Sequence, residues 1–224
     1  MKKHLLALAL VAATGAAQAD VITQSDAFGF ATTNWTHTLG ALSQFDSTLG
    51  TLNSIQITLY GSINQTLSAE NLGGSADNLT PVAGGTIRFR EGGSTVLNQV
   101  LPTTTGSTFV ATAFDLNDDK GGTSGVNFGT LFAEDTNVVT LTGSALAAFI
   151  GTGTLSGFDL RAIGNGVIES DNGNLSSVIQ TEALARLDIV YDYTRTPTGT
   201  IPEPASMALV GLGMVGLAAV RRRK

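Results

Sequence analysis

The chain has 224 residues, no cysteine and a formal net charge of −6, which excludes a disulfide framework and thiolate chemistry and leaves burial as the source of stability. The charge is unevenly spread: Lys2, Lys3, Arg221, Arg222, Arg223 and Lys224 hold half of the 12 basic residues, while only Glu203 of the 18 acids lies outside residues 20–195, so that segment carries 6 basic residues against 17 acidic, a net −11. Such a surface repels nucleic acid and anionic lipid and favours solubility, counter-cations or neutral sugars.

Met1, Lys2, Lys3 and His4 form a basic opening, residues 5–13 an apolar stretch, and Ala17-Gln18-Ala19 a small-x-small cleavage site. This pattern predicts a secretory signal peptide over residues 1–19. A passenger domain over residues 20–194 follows, rich in Gly, Thr, Ser and Asn, with Pro only at 81 and 102. That is a composition of short strands and turns.

Residues 35–39 alternate as Trp-Thr-His-Thr-Leu, the period of a half-buried strand. Residues 55–59 put Ile55, Ile57 and Leu59 on one face and Gln56 and Thr58 on the other, a second strand. Gly73-Gly74 and Gly84-Gly85 are expected to bracket a loop, and residues 86–90 to bury Ile87 and Phe89 while Arg88 and Arg90 point outward. Further strands are expected over 95–101, 108–114, 126–132, 138–141 and 155–162. Residues 144–150 are the one plausible helical turn. Residues 182–193 give the clearest pattern, with Ala183, Ala185, Leu187, Ile189, Tyr191 and Tyr193 on one face and Glu182, Arg186, Asp188 and Asp192 on the other.

The 10–15-residue helical patterns of a βαβ fold are missing, so the reading is all-β: an antiparallel β-sandwich, jelly-roll-like, flanked by the signal peptide and a C-terminal transmembrane helix. Gly-Thr-Leu recurs at Gly50, Gly129 and Gly153 at unequal intervals, which is no solenoid period.

Candidates for chemistry are sparse. His37 is the one histidine beyond the leader. A Ser-His-Asp site would need it, but no G-x-S-x-G elbow accompanies it, and it reads as a packing or surface residue. Asp115-Leu116-Asn117-Asp118-Asp119 starts like a calcium loop, then places Lys120 where Gly is required and Val126 where a bidentate Glu belongs. A solvated Asx-rich turn is the better reading. Glu70, Glu91, Glu134, Glu169 and Glu182 are the glutamates available for a glycosidase-type pair, and Trp35, Tyr60, Tyr191 and Tyr193 the rings available to a sugar-binding face. No catalytic residue, cofactor or metal ligand is assigned.

Residues 195–200, with Pro197 and Gly199, form a linker to a tail over 201–224. Pro202, Glu203 and Pro204 precede an uncharged run, residues 205–220, closed by the basic stop Arg221, Arg222, Arg223 and Lys224. As a helix that run spans about 24 Å against a hydrocarbon core of about 30 Å. Cations beside it stay cytoplasmic, so the passenger lies on the far side. On physics alone the tail is a membrane anchor. Gly211, Gly213 and Gly216 also fit G-x-G-x-x-G, but without a βαβ context the match is accidental.

The Pro-Glu-Pro element, apolar run and basic cluster, in that order, resemble the PEP-CTERM sorting signal of Gram-negative, exopolysaccharide-producing bacteria. The resemblance implies an exosortase-type membrane protease as partner, recognition at Pro202, Glu203 and Pro204, transient anchoring, and release to the cell surface or matrix. Residues 35–61, with Trp35 ahead of Phe45-Asp46, Leu49-Gly50-Thr51-Leu52 and Ser54, resemble the choice-of-anchor E domain, a family without assigned activity. The expected role is structural or adhesive in an exopolysaccharide or biofilm setting. The alternatives are an exopolysaccharide-binding module and, further off, a surface glycoside hydrolase.

Overall fold

A computed structural model describes residues 19–196. The leader, Pro202, Glu203 and Pro204, the apolar run and the basic stop lie outside the described residues. The strands are β1 Ala19–Thr32, β2 Thr36–Thr38, β3 Gly50–Asn71, β4 Asp77–Ala83, β5 Gly85–Glu91, β6 Ser94–Val100, β7 Thr104–Thr105, β8 Phe109–Ala111, β9 Gly125–Leu141, β10 Phe158–Gly164, β11 Val167–Ser170 and β12 Leu175–Arg195, with a 3-10 turn at Gly143–Phe149.

One long sheet has the order β1-β12-β3-β9. Facing it are two short sheets, β2-β10-β5-β6 and β11-β4-β7, with β8 also on β4. Only Gly84 separates β4 from β5, and the Asn165 amide donates to the Gly84 carbonyl at 3.0 Å. The short sheets are therefore one layer kinked at Gly84. Counting β1, β2, β3, β5, β6, β9, β10 and β12 as first to eighth, the layers run 1-8-3-6 and 2-7-4-5, the interlocked Greek keys of a jelly roll. All strand pairings are antiparallel.

Alternation explains the packing. In β3 the odd residues Ile55, Ile57, Leu59, Ile63 and Leu67 face the opposite layer and are fully buried, while the even ones from Gln56 onward face outward. The main core gathers Ile55, Ile57, Leu59 and Ile63 with Phe89, Phe149, Phe158, Leu187, Ile189 and Tyr191. Beyond the kink lies a smaller core of Leu67, Ala69, Leu79, Ala111 and Ile168. Gln65 stands between the two, fully buried, donating to Thr181 Oγ1 at 2.9 Å and accepting the Gly84 amide at 2.7 Å.

Several expectations are corrected. Residues 77–83, expected as loop, are strand β4; β3 runs on past Leu59 to Asn71; and β9 joins what read as two strands. β1 and β11 gave no sequence signal. Arg195, assigned to the linker, is the last rung of β12 opposite Gly50. Among the described residues no helix is long and apolar enough to cross a membrane.

Candidate functional site

The outer face of the long sheet carries a hollow of about 640 Å3, lined by Thr32, Asn64, Thr66, Thr130, Gln180 and Glu182 among others. Register puts these in two cross-strand rows: Thr32, Glu182 and Asn64 in one, Gln180, Thr66 and Thr130 in the next. Asn64, Thr66, Gln180 and Glu182 are even positions of β3 and β12, flanked by Thr32 of β1 and Thr130 of β9, and polar because that face is wet. The Thr66 and Thr130 hydroxyls lie 2.9 Å apart, and Asn64 Oδ1 is buried without a partner. Opposite Asn64 stands Phe132, 62% exposed. The surface offers hydroxyls, amides, one carboxylate and a ring face.

The aromatic residues expected to line a sugar face are mostly elsewhere. Trp35 is buried, with its indole nitrogen donating to the Ala183 carbonyl at 3.0 Å. Tyr191 is fully buried, donates to the Ser43 carbonyl at 3.0 Å, and its phenol is pushed up to about 12 by burial. Tyr193 packs on Phe45 at 5.1 Å. Only Tyr60 reaches the outer face, donating to Glu134 Oε2 at 2.8 Å, a bond that raises its pKa above the usual tyrosine value.

The glutamates do not converge. Glu70 is buried, Glu91 ends β5, Glu169 lies on β11, and Glu134 and Glu182 flank β3 on the outer face, opposite Ser62 and Asn64. Two strand spacings put that last pair at least about 10 Å apart along the sheet. His37 closes the seam between edge strands β1 and β2: its Nε2 lies 3.2 Å from Asp26 Oδ2 and its ring stacks on Phe28 at 4.8 Å. Among the described residues no hydroxyl is hydrogen-bonded to its other nitrogen.

The Asp115 loop is internally bonded. Asp115 Oδ1 accepts the Asn117 amide at 2.9 Å, Asp119 Oδ1 the Gly121 amide at 2.8 Å, and Lys120 pairs with Asp118. Lys120, at φ 58°, supplies the left-handed turn that a glycine supplies in a regular calcium loop.

Residues 200–224 match the PEP-CTERM protein-sorting motif. That motif is a substrate signal for exosortase sorting and marks a protein for export and a cell-surface or extracellular destination. No curated protein matches the chain. Among solved structures, the chain is similar to one titled as the T13 particle of infectious bursal disease virus (14% identity, 92% of this chain and 47% of that one, TM-score 0.14). It is also similar to that of the Gx strain of the same virus (13%, 88% and 48%, TM-score 0.13). The chain spans about half the length of these proteins, and at such scores the likeness carries no argument.

Proposed function

We propose that this protein is a surface or matrix component of a Gram-negative bacterium, exported by its leader, anchored transiently by its tail and released by an exosortase-type protease, with the sandwich serving as a structural or adhesive unit in exopolysaccharide. The observation that carries this reading is the sorting motif over residues 200–224. A non-enzymatic role is favoured by the separation of the glutamates along the sheet. The test is the intact mass of the protein recovered from the producing cells' surface and medium. A mass ending near Pro202 is expected; one running to Lys224, found only in membranes, sinks the reading.

The outer-face hollow favours a second reading, in which the sandwich binds a neutral polysaccharide. Substituting Asn64 or Glu182 by Ala is then expected to weaken retention on the producer's exopolysaccharide at least tenfold, with thermal stability little changed. Equal retention of the variants and the parent protein would dismiss it.

A further inference from the structure

Of the outward positions of β3 from Gln56 to Glu70, only Ser62 and Glu70 are buried, and Glu70 is at 0% exposure. It is covered because residues 112–124 fold back over that end of the face. The Asn71 amide donates to the Ser124 carbonyl at 2.9 Å, the Thr112 amide to the Thr123 carbonyl at 2.8 Å and the Phe114 amide to the Gly73 carbonyl at 2.8 Å. Beneath this cover neither oxygen of Glu70 has a hydrogen-bond partner, and nor does the buried Ser124 Oγ.

The other buried polar groups at this end are saturated. Asp77, also buried, accepts Ser170 Oγ at 2.6 Å and the Asp171 amide at 2.8 Å, and the Asn71 side chain makes three bonds. A carboxylate removed from water without donors is too costly to persist unless something neutralises it. Glu70 aims into the loop: a Cβ on Gly125, its register partner, would collide with Glu70 Oε2 and the Gly121 nitrogen. The covering loop adds Asp115, Asp118 and Asp119 against Lys120 alone. Lys120 Nζ is committed to Asp118 and to Ser176 Oγ at 2.9 Å.

We propose that Glu70 is the anchoring ligand of a calcium site closed by the 112–125 loop, with Ser124 Oγ and water as neutral ligands and the loop aspartates supplying the field. The D-x-N-x-D run, which spends its carboxylates on its own amides, is then the lid rather than the cage. Among the described residues no three His, Asp or Glu side chains group as a metal cage. One carboxylate with neutral oxygens gives the weak affinity of extracellular modules, a Kd of about 10⁻⁴–10⁻³ M, suited to a cell-surface destination. The chemistry is independent of the export route, so neither test decides the other.

Equilibrium dialysis of the full chain with radioactive calcium, after chelator treatment, is expected to find one ion per chain, and the thermal midpoint to rise with calcium chloride as mass action requires. The isosteric Glu70→Gln should weaken binding at least tenfold and abolish the shift, and Gly125→Ala, which displaces the carboxylate, should weaken it as well. Asp192→Asn, far from the loop, should leave both unchanged. No bound ion in the parent protein at 10-fold the upper Kd overturns the site, as does full binding by Glu70→Gln or an equal loss in Asp192→Asn. Destabilisation by Lys120→Met in a parent protein blind to calcium would assign Lys120 as the counter-ion instead.

Discussion

The two ends of the sandwich are built from different materials. On one side of Gln65 the layers are joined by aromatic and aliphatic side chains, with Phe89 stacked on Phe158 at 5.4 Å and near Phe149 at 6.4 Å. On the other side only Leu67, Ala69, Leu79, Ala111 and Ile168 form the buried cluster, and the chain relies on Asn71, Asp77, Glu70 and the loops they meet. The first end is held by area, which tolerates changes of solvent. The second is held by directed bonds to charged groups, which answer to substitution, acid and ions. A surface domain thus keeps a firm body while leaving one end responsive.

Core truncation should show the firm end most strongly. Phe89→Ala is expected to cost about 4 kcal/mol, since the ring is fully buried among other rings and the void cannot collapse. Denaturant unfolding measures it; a loss under about 1 kcal/mol would mean that this end is not the main reservoir. Asp77→Ala at the other end should cost about 3 kcal/mol with almost no change in buried apolar area, because the Ser170 hydroxyl and the Asp171 amide lose a charged acceptor. If Asp77→Ala were neutral, the contrast between the ends would fail.

At the boundary, Gln65→Leu keeps the volume but strands the Gly84 amide and the Thr181 hydroxyl, for about 2 kcal/mol. Proton exchange at Gly84 should accelerate with it. An unchanged exchange rate would show that the kink closes without the glutamine.

The strands that alternate cleanly, at residues 55–59, 86–90 and 182–193, were legible because one face is core and the other water. What was hidden has physical causes. β3 breaks its own pattern beyond Leu59, where Gly61 and Gln65 occupy inward positions. β4 carries Pro81 and stands between glycine pairs, so it imitates a loop. β1, an edge strand, alternates Asp20, Ile22, Gln24 and Asp26 inward against mostly small or polar neighbours, a weak apolar signal. The 3-10 turn and the Asx bonding of residues 115–121 were readable from local chemistry. The outer hollow was not, because it assembles from four strands, and neither was Glu70, whose burial comes from a loop more than forty residues away.

Acid should sharpen the contrast in the smallest but most easily signed way. The Thr48 amide, donating to Asp46 at 2.9 Å, holds that carboxyl below its usual value of 3.8, and the Lys120 hydrogen bond does the same for Asp118. A folded-state pKa below the unfolded one means stability that is complete above about pH 4 and lost as pH falls through the lowered values. Asp118 is exposed and Asp46 half-exposed, so each effect is small and screened by salt. The thermal midpoint is therefore expected to be flat from pH 7 to 5 and to decline below 4. Asp118→Asn should flatten part of that decline at the loop-covered end, and Phe89→Ala should leave its shape unchanged while lowering the whole curve. A decline of the same shape in Asp118→Asn would mean that the acid-sensitive groups lie elsewhere than in the loop that covers Glu70.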